Sequence, residues 1–184
     1  FNGTSWQQLQ VPGLGSPSLR AATARFGGTS ILAAGDNGTI LRLNGTNFTP
    51  ITGALPTVNF YAAATGYVAP ASPAPNTYFV GNYKFGYVLA SGASTVTSGN
   101  KDLLSTLTVP YYALAQSAAT KDDVYMGGAL NLGAGLAGEW DGKGTFVQQM
   151  ASGNKVSGNI FAVLCGISTH YMAGDGGTIV SRAS

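Results

Sequence analysis

A motif that recurs near both ends of this chain limits the folds open to it more than any other feature. Leu32-Ala-Ala-Gly-Asp-Asn-Gly-Thr-Ile-Leu41 reads against Tyr171-Met-Ala-Gly-Asp-Gly-Gly-Thr-Ile-Val180. Two shorter copies, Tyr78-Phe-Val-Gly81 and Tyr125-Met-Gly-Gly128, lie between them. The glycines Gly35, Gly81, Gly128 and Gly174 stand 46, 47 and 46 residues apart, and the step from Gly174 through the chain ends back to Gly35 is 45. A period of this length belongs to repeat architectures, in which each unit buries its apolar face on the next.

Three more registers keep the period. Apolar runs precede each copy at Leu19–Ala24, Phe60–Thr65, Tyr111–Gln116 and Ile160–Cys165, each with alanine third: Ala21, Ala62, Ala113 and Ala162. Further runs follow each glycine at Thr39–Arg42, Tyr87–Ala90, Leu136–Trp140 and Thr178–Arg182. A large or β-branched residue then comes after a turn: Trp6, Phe48, Val96 and Phe146. Asn-Gly and Asp-Gly pairs at these bends supply hairpin chemistry. Each unit is therefore four short strands, a to d. No window sustains a helical apolar period, because Gly or Pro interrupts each candidate; Leu103–Val109 is the one segment where a helical turn competes with strand or loop.

Four strands per repeat of 40–50 residues is the pattern of β-propeller blades. The chain opens in a strand d, Asn2-Gly-Thr-Ser-Trp6, and stops in a strand c, Gly177-Thr-Ile-Val-Ser-Arg182. The expectation is an all-β, four-bladed β-propeller, one domain over residues 1–184. Its blades would be 10–51, 52–97, 98–150, and 151–184 completed by 1–9. The N-terminal strand would pair with the C-terminal blade and close the ring, which removes exposed strand edges. Strand a would line the axis, with its alanines answering the crowding there.

The segment Ala34-Gly-Asp-Asn-Gly-Thr-Ile-Leu-Arg-Leu-Asn-Gly-Thr-Asn-Phe48 resembles the repeats of bacterial extracellular propellers related to the photosystem II assembly-factor-like family. The likeness is strong in the first and last blades and weaker in the middle two. It implies blade structure, in a group whose members often have seven blades, and it carries over no activity.

Composition narrows the function. Charged residues make up 9% of the 184 residues, against roughly 25% in ordinary soluble domains. The net charge of +2 comes with no basic run, so nucleic acid is not an expected partner. No apolar segment has the roughly 18–20 residues of a membrane-spanning helix. Low charge with abundant Thr, Ser and Asn fits a secreted or cell-surface location, and the first residue, Phe1, reads as a trimmed or processed start. The single cysteine, Cys165, reads as a buried, inert thiol.

The candidates for chemistry are few. Asp36 and Asp175 each supply one carboxylate in a Gly-Asp-x-Gly-Thr turn, too few for a calcium loop. These turns read as Asp bonding its own backbone, with glycine supplying positive φ. The sequons at Asn2, Asn37, Asn44 and Asn47 read first as turn residues. His170 is the sole histidine, which leaves no zinc set and no triad signature. Among seven carboxylates only Asp36 and Asp175 could form an acid/base pair, so no catalytic residue, metal or cofactor is expected.

Binding is expected on the face of the b–c turns. Tyr83, Lys84 and Phe85 extend the second of these turns. The third, Ala129–Ala134, is also long and apolar and holds Leu130 and Asn131. Asp36, Asn37 and Asp175 share that face. The expected role is a non-enzymatic extracellular interaction or structural module, a subunit of a surface or secreted assembly with a protein partner or its own copies. A carbohydrate-binding propeller, with sugars on an aromatic floor, is the alternative, and a hydrolase ranks third.

Overall fold

The computed structural model describes residues 5, 9, 11, 17–24, 30–51, 58–65, 76–82, 86–98, 110–117, 123–130, 134–140, 146–148, 156 and 158–183. Among them are four antiparallel sheets in chain order. The first holds β1 (Leu19–Ala24), β2 (Ser30–Gly35), β3 (Ile40–Asn44) and β4 (Asn47–Pro50). The second holds β5 (Phe60–Thr65), β6 (Thr77–Gly81), β7 (Tyr87–Leu89) and β8 (Thr97–Ser98). The third holds β9 (Tyr111–Gln116), β10 (Val124–Leu130), β11 (Ala134–Trp140) and β12 (Phe146–Gln148). The fourth is three-stranded: β13 (Ile160–Cys165), β14 (Thr169–Gly174) and β15 (Ile179–Ala183). The only helical pieces described are single 3-10 turns at Asp36–Gly38 and Asp175–Gly177.

Each of the first three sheets buries one face on the sheet that follows. Leu32, Ala34 and Ile40 of the first pack on Phe60, Phe79 and Tyr87 of the second. Tyr78 and Val80 of the second meet Tyr111, Met126 and Trp140 of the third. Tyr125 and Ala137 of the third meet Ile160 and Met172 of the fourth. The alternation of a strand decides this, since successive residues on β2, β6, β10 and β14 point to opposite neighbours. Aromatic edges fill the joints: Phe60 meets Tyr87 edge-on at 5.3 Å, and Tyr78 meets Trp140 edge-on at 5.4 Å.

The inner strands β1, β5, β9 and β13 pack in that order, each on the next; no comparable packing joins β13 to β1. The fold is thus a propeller-like succession of four sheets. The strand expected to complete the fourth, residues 2–6, lies outside the described residues apart from Ser5, as do Leu103–Val109 and Trp6.

The repeated glycine has a steric cause. An added Cβ would lie 2.0 Å from the Ser18 carbonyl oxygen at Gly35, 1.9 Å from that of Asn59 at Gly81, 2.3 Å from that of Pro110 at Gly128, and 2.0 Å from that of Asn159 at Gly174. In every sheet the next residue donates its backbone N–H to that same oxygen: Asp36 at 3.0 Å, Asn82 at 3.1 Å, Ala129 at 3.1 Å and Asp175 at 2.9 Å. The glycine lets the end of strand b press against the start of strand a.

Ala62 of the inner strands packs into the joint between the second and third sheets, opposite Val80. One expectation is corrected. The third b–c connection is not a loop over Ala129–Ala134, because β10 runs through Leu130, which pairs with Ala134. Only 131–133, with Asn131, lie outside the described residues there.

Candidate functional site

At the start of each inner strand the ladder carries a β-bulge. The register skips between Leu19 and Ala21, between Phe60 and Ala62, at the corresponding step of β9, and between Ile160 and Ala162. The unpaired residue is Arg20, Tyr61, Tyr112 or Phe161. A bulge re-aims its extra side chain away from the regular alternation, and bulges gather next to functional sites. Here all four side chains turn into one row along the packed inner strands.

The row is continuous. The Arg20 guanidinium carbon lies 5.6 Å from the Tyr61 ring centroid. Tyr61 and Tyr112 have centroids 5.7 Å apart with planes at 30°, and Tyr112 and Phe161 are 5.2 Å apart at 39°. Phe161 is half exposed, Tyr61 and Tyr112 partly so. Each contact is of the kind worth about 0.5–1.5 kcal/mol. The result is an aromatic strip, part-exposed along its length and closed at one end by a cation.

That cation is fixed. Arg20 donates from Nε and Nη2 to the two carboxylate oxygens of Asp36, at 2.5 Å and 2.8 Å. The bidentate geometry anchors the guanidinium beside Tyr61. The hydrogen bond to Arg20 pulls the Asp36 carboxyl below its ordinary value and raises the guanidinium in turn.

The other turn residues brace the same face. The Asp175 carboxylate accepts from the backbone N–H of Asn159 at 3.2 Å and from its side-chain amide at 3.0 Å. Asn82, the equivalent residue of the second sheet, accepts from the Asn59 backbone N–H at 2.9 Å. Asn37 sits at φ 56 and donates its backbone N–H to the Asn59 side chain at 3.1 Å, which ties the first sheet's turn to the second sheet. The Asp36 side chain thus reaches Arg20 within strand a of its sheet, and the Asp175 side chain reaches Asn159, just before strand a of its own. Asp36 and Asn37 therefore border the row, while Asp175 holds the loop beside Phe161. Tyr83, Lys84, Phe85 and Asn131 lie outside the described residues, and Leu130 is placed in β10.

A second cluster lies between the third and fourth sheets. The buried His170 ring stacks on Tyr125, with centroids 4.0 Å apart. Arg182 donates to Glu139 at 2.6 Å, and the Tyr125 hydroxyl donates to the same carboxylate at 3.4 Å. Cys165 pairs with His170 across β13 and β14. Burial pushes the Cys165 thiol up to about 12, the reverse of what a nucleophilic thiolate needs. Burial and the nearby Arg182 charge lower the His170 imidazole. This cluster reads as a brace between the third and fourth sheets, buried at His170 and exposed at Arg182. No group of three metal-ligating side chains occurs among the described residues.

No family model and no curated protein matches the sequence. Solved structures do match in fold. The chain superposes on the computationally designed Ika4 protein with a TM-score of 0.67 at 13% identity, covering 97% of this chain and 98% of that one. The designed Ika8 protein gives 0.66 at 13% identity, with 95% of this chain and 48% of Ika8 covered. YCF48 bound to D1 peptide gives 0.63 at 15% identity, with 99% and 55% covered. The chain spans about half the length of the last two. At such identities the likeness speaks for the fold, and the fold is propeller-like.

The row is the feature that reading the sequence missed. Its signal was present, since the second residue of each inner strand is Arg, Tyr, Tyr and Phe, directly before the repeated alanine. Simple alternation would send that residue to one sheet face, and no local sequence rule announces a bulge.

Proposed function

We propose that this chain is a non-enzymatic protein-interaction module of the extracellular space or cell surface, and that it binds an extended polypeptide segment along the Arg20–Tyr61–Tyr112–Phe161 row. The row carries the reading. It is a rigid, part-exposed aromatic surface mounted on packed strands, the arrangement that gives contact area at low entropic cost. Its polar margin of Arg20, Asp36 and the turn backbones offers hydrogen bonds at one end. The peptide-bound state of YCF48, a fold neighbour, agrees with this use of the scaffold. The sparse charge and the Thr, Ser and Asn content support a bacterial secreted or surface setting, as a subunit of a larger assembly. The engagement of Asp36 by Arg20 and of Asp175 by Asn159 weighs against a paired-carboxylate hydrolase.

One observation favours a second reading. A carbohydrate site would recur with the repeat, and this aromatic row does, so sugars stacking on Tyr61 and Tyr112 are the alternative ligand.

Panning the protein against a random short-peptide display library, beside a glycan array, separates the two. Peptide hits that bind the wild type and lose about tenfold or more in affinity with a Tyr61→Ser, Tyr112→Ser double variant are expected. Peptides that bind both proteins equally would remove the row from the function. Glycan hits without peptide hits would replace the first reading by the second.

A further inference from the structure

The hydrogen-bonding groups around the aromatic row are unevenly used, and those left over describe a ligand. The turns on that face have given their backbone donors to the protein itself. Asp36 N–H goes to the Ser18 oxygen at 3.0 Å, Gly38 N–H to the Val58 oxygen at 2.6 Å, and Asp175 N–H to the Asn159 oxygen at 2.9 Å. Asn82 N–H goes to the Asn59 oxygen at 3.1 Å, and Asn37 N–H to the Asn59 side chain at the same distance. The strands that carry the two tyrosines are flanked as well. β5 and β9 each pair with their own strand b, and each packs between two other inner strands. Thr65 turns its backbone N–H across one of these contacts to the Thr23 hydroxyl at 3.1 Å. A ligand that adds as a β-strand needs an open strand edge, and none adjoins Tyr61 or Tyr112.

What remains is on side chains. The Tyr61 and Tyr112 hydroxyls have no hydrogen bond among the described residues and are not sealed from solvent. Arg20, its side chain 45% exposed, gives two of a guanidinium's five N–H donors to Asp36. The Arg20–Asp36 pair also leaves that end of the row without net charge. The row thus presents aromatic faces and side-chain donors, with neither a strand edge nor a free charge.

We infer that the segment bound along the row is proline-rich and in the polyproline II conformation; this rests on the reading of the row as a peptide site and narrows it. Such a segment makes no internal hydrogen bonds, turns its carbonyls outward, and has no N–H to satisfy at each proline. It therefore needs donors and apolar faces, the two things the row supplies. Its conformation is set before binding, so a rigid strip can take it with little loss of entropy. The two ring-to-ring steps from Tyr61 to Phe161, 5.7 and 5.2 Å, reach at most about 11 Å, against about 9 Å for one three-residue turn of the ligand. Prolines three positions apart would sit on Tyr61 and Phe161, with Tyr112 between them.

Screening the protein against two uncharged peptide libraries of equal length tests this, one with prolines fixed three positions apart and one with proline left out. Binders should come from the first. Replacing their prolines with alanine should weaken them about tenfold or more, and N-methylalanine, which also lacks the N–H, should recover most of the binding. A Tyr61→Phe, Tyr112→Phe double variant keeps both rings and loses both hydroxyls. It should bind about tenfold more weakly with an unchanged thermal midpoint. Binders that ignore the loss of the hydroxyls would overturn the inference. Proline-free binders that a Tyr61→Ser, Tyr112→Ser variant no longer holds would also overturn it, yet leave the row a peptide site. Proline-rich binders indifferent to the serine variant, or glycan binding with no peptide from either library, would overturn both.

Discussion

Gly81→Ala isolates the contact on which the repeat is built. The new Cβ would lie 1.9 Å from the Asn59 carbonyl oxygen, 2.8 Å from its carbon and 3.0 Å from the Phe60 Cα, all backbone atoms. Relief needs a shift of more than 1 Å, about the gap to an ordinary contact, in a strand that other residues pin. Overpacking of this kind costs about 1–3 kcal/mol. The shift also disturbs two hydrogen bonds, Asn82 N–H to the Asn59 oxygen at 3.1 Å and Asn59 N–H to the Asn82 side chain at 2.9 Å. Each is worth about 0.5–1.5 kcal/mol. Against this, alanine restricts the unfolded chain and returns about 0.4–1 kcal/mol. The net is a loss of about 3 kcal/mol, which lowers the thermal midpoint by roughly 6–12 °C in a chain of this length. Gly45→Ala is the control: its φ is +63 and nothing lies within 4 Å of an added Cβ, so only the left-handed backbone is penalised, by about 1–2 kcal/mol. Urea unfolding followed by circular dichroism ranks the two. A Gly81→Ala variant as stable as the wild type, or more stable than Gly45→Ala, would refute the steric account of the repeat.

Other perturbations have equally definite outcomes. Trp140→Ala removes a fully buried indole that packs edge-on against Tyr78 and lies over Gly86, and should cost about 3–5 kcal/mol in the same urea assay. The His170 imidazole is lowered from its ordinary 6.5, so the folded state binds fewer protons than the unfolded chain just below that pH. Stability should therefore be full above 6.5 and decline as pH falls toward the folded-state value, and a His170→Gln variant should lose that slope. Cys165, partly buried and with its thiol pushed up to about 12, should react with an alkylating reagent at neutral pH far more slowly than a free cysteine, and denaturant should restore the free rate.

Much of the fold could be read from the residues because packing in a repeat is over-determined. The inner strands fall at the bounds the apolar runs predict, and the four glycines mark the place where strand b crowds the start of strand a. Reading went astray where two local signals compete. Ala129-Leu-Asn-Leu-Gly-Ala134 has the glycine and asparagine of a turn, yet Ala129 and Leu130 extend β10 because β11 supplies a partner for each. The turn aspartates have the local chemistry of Asx turns, and nothing local in the sequence points to their partners Arg20 and Asn159, which are 16 residues away. Sequence separation of that size hides a contact that register then makes obligatory.

The candidate site was hidden for a related reason. A residue shared by all copies reports a packing demand, as the glycine and the alanine do. The position before the alanine holds Arg20, Tyr61, Tyr112 and Phe161, large side chains that no joint between sheets requires. A regular strand would have to bury or expose them by alternation, and a blade with tight joints has no room for a second large residue there. The bulge resolves this by taking the residue out of the ladder, at the cost of one unpaired position in each sheet. That cost recurs four times, and each time the freed side chain joins the same row. The recurrence is the observation on which the proposed binding role of the row rests.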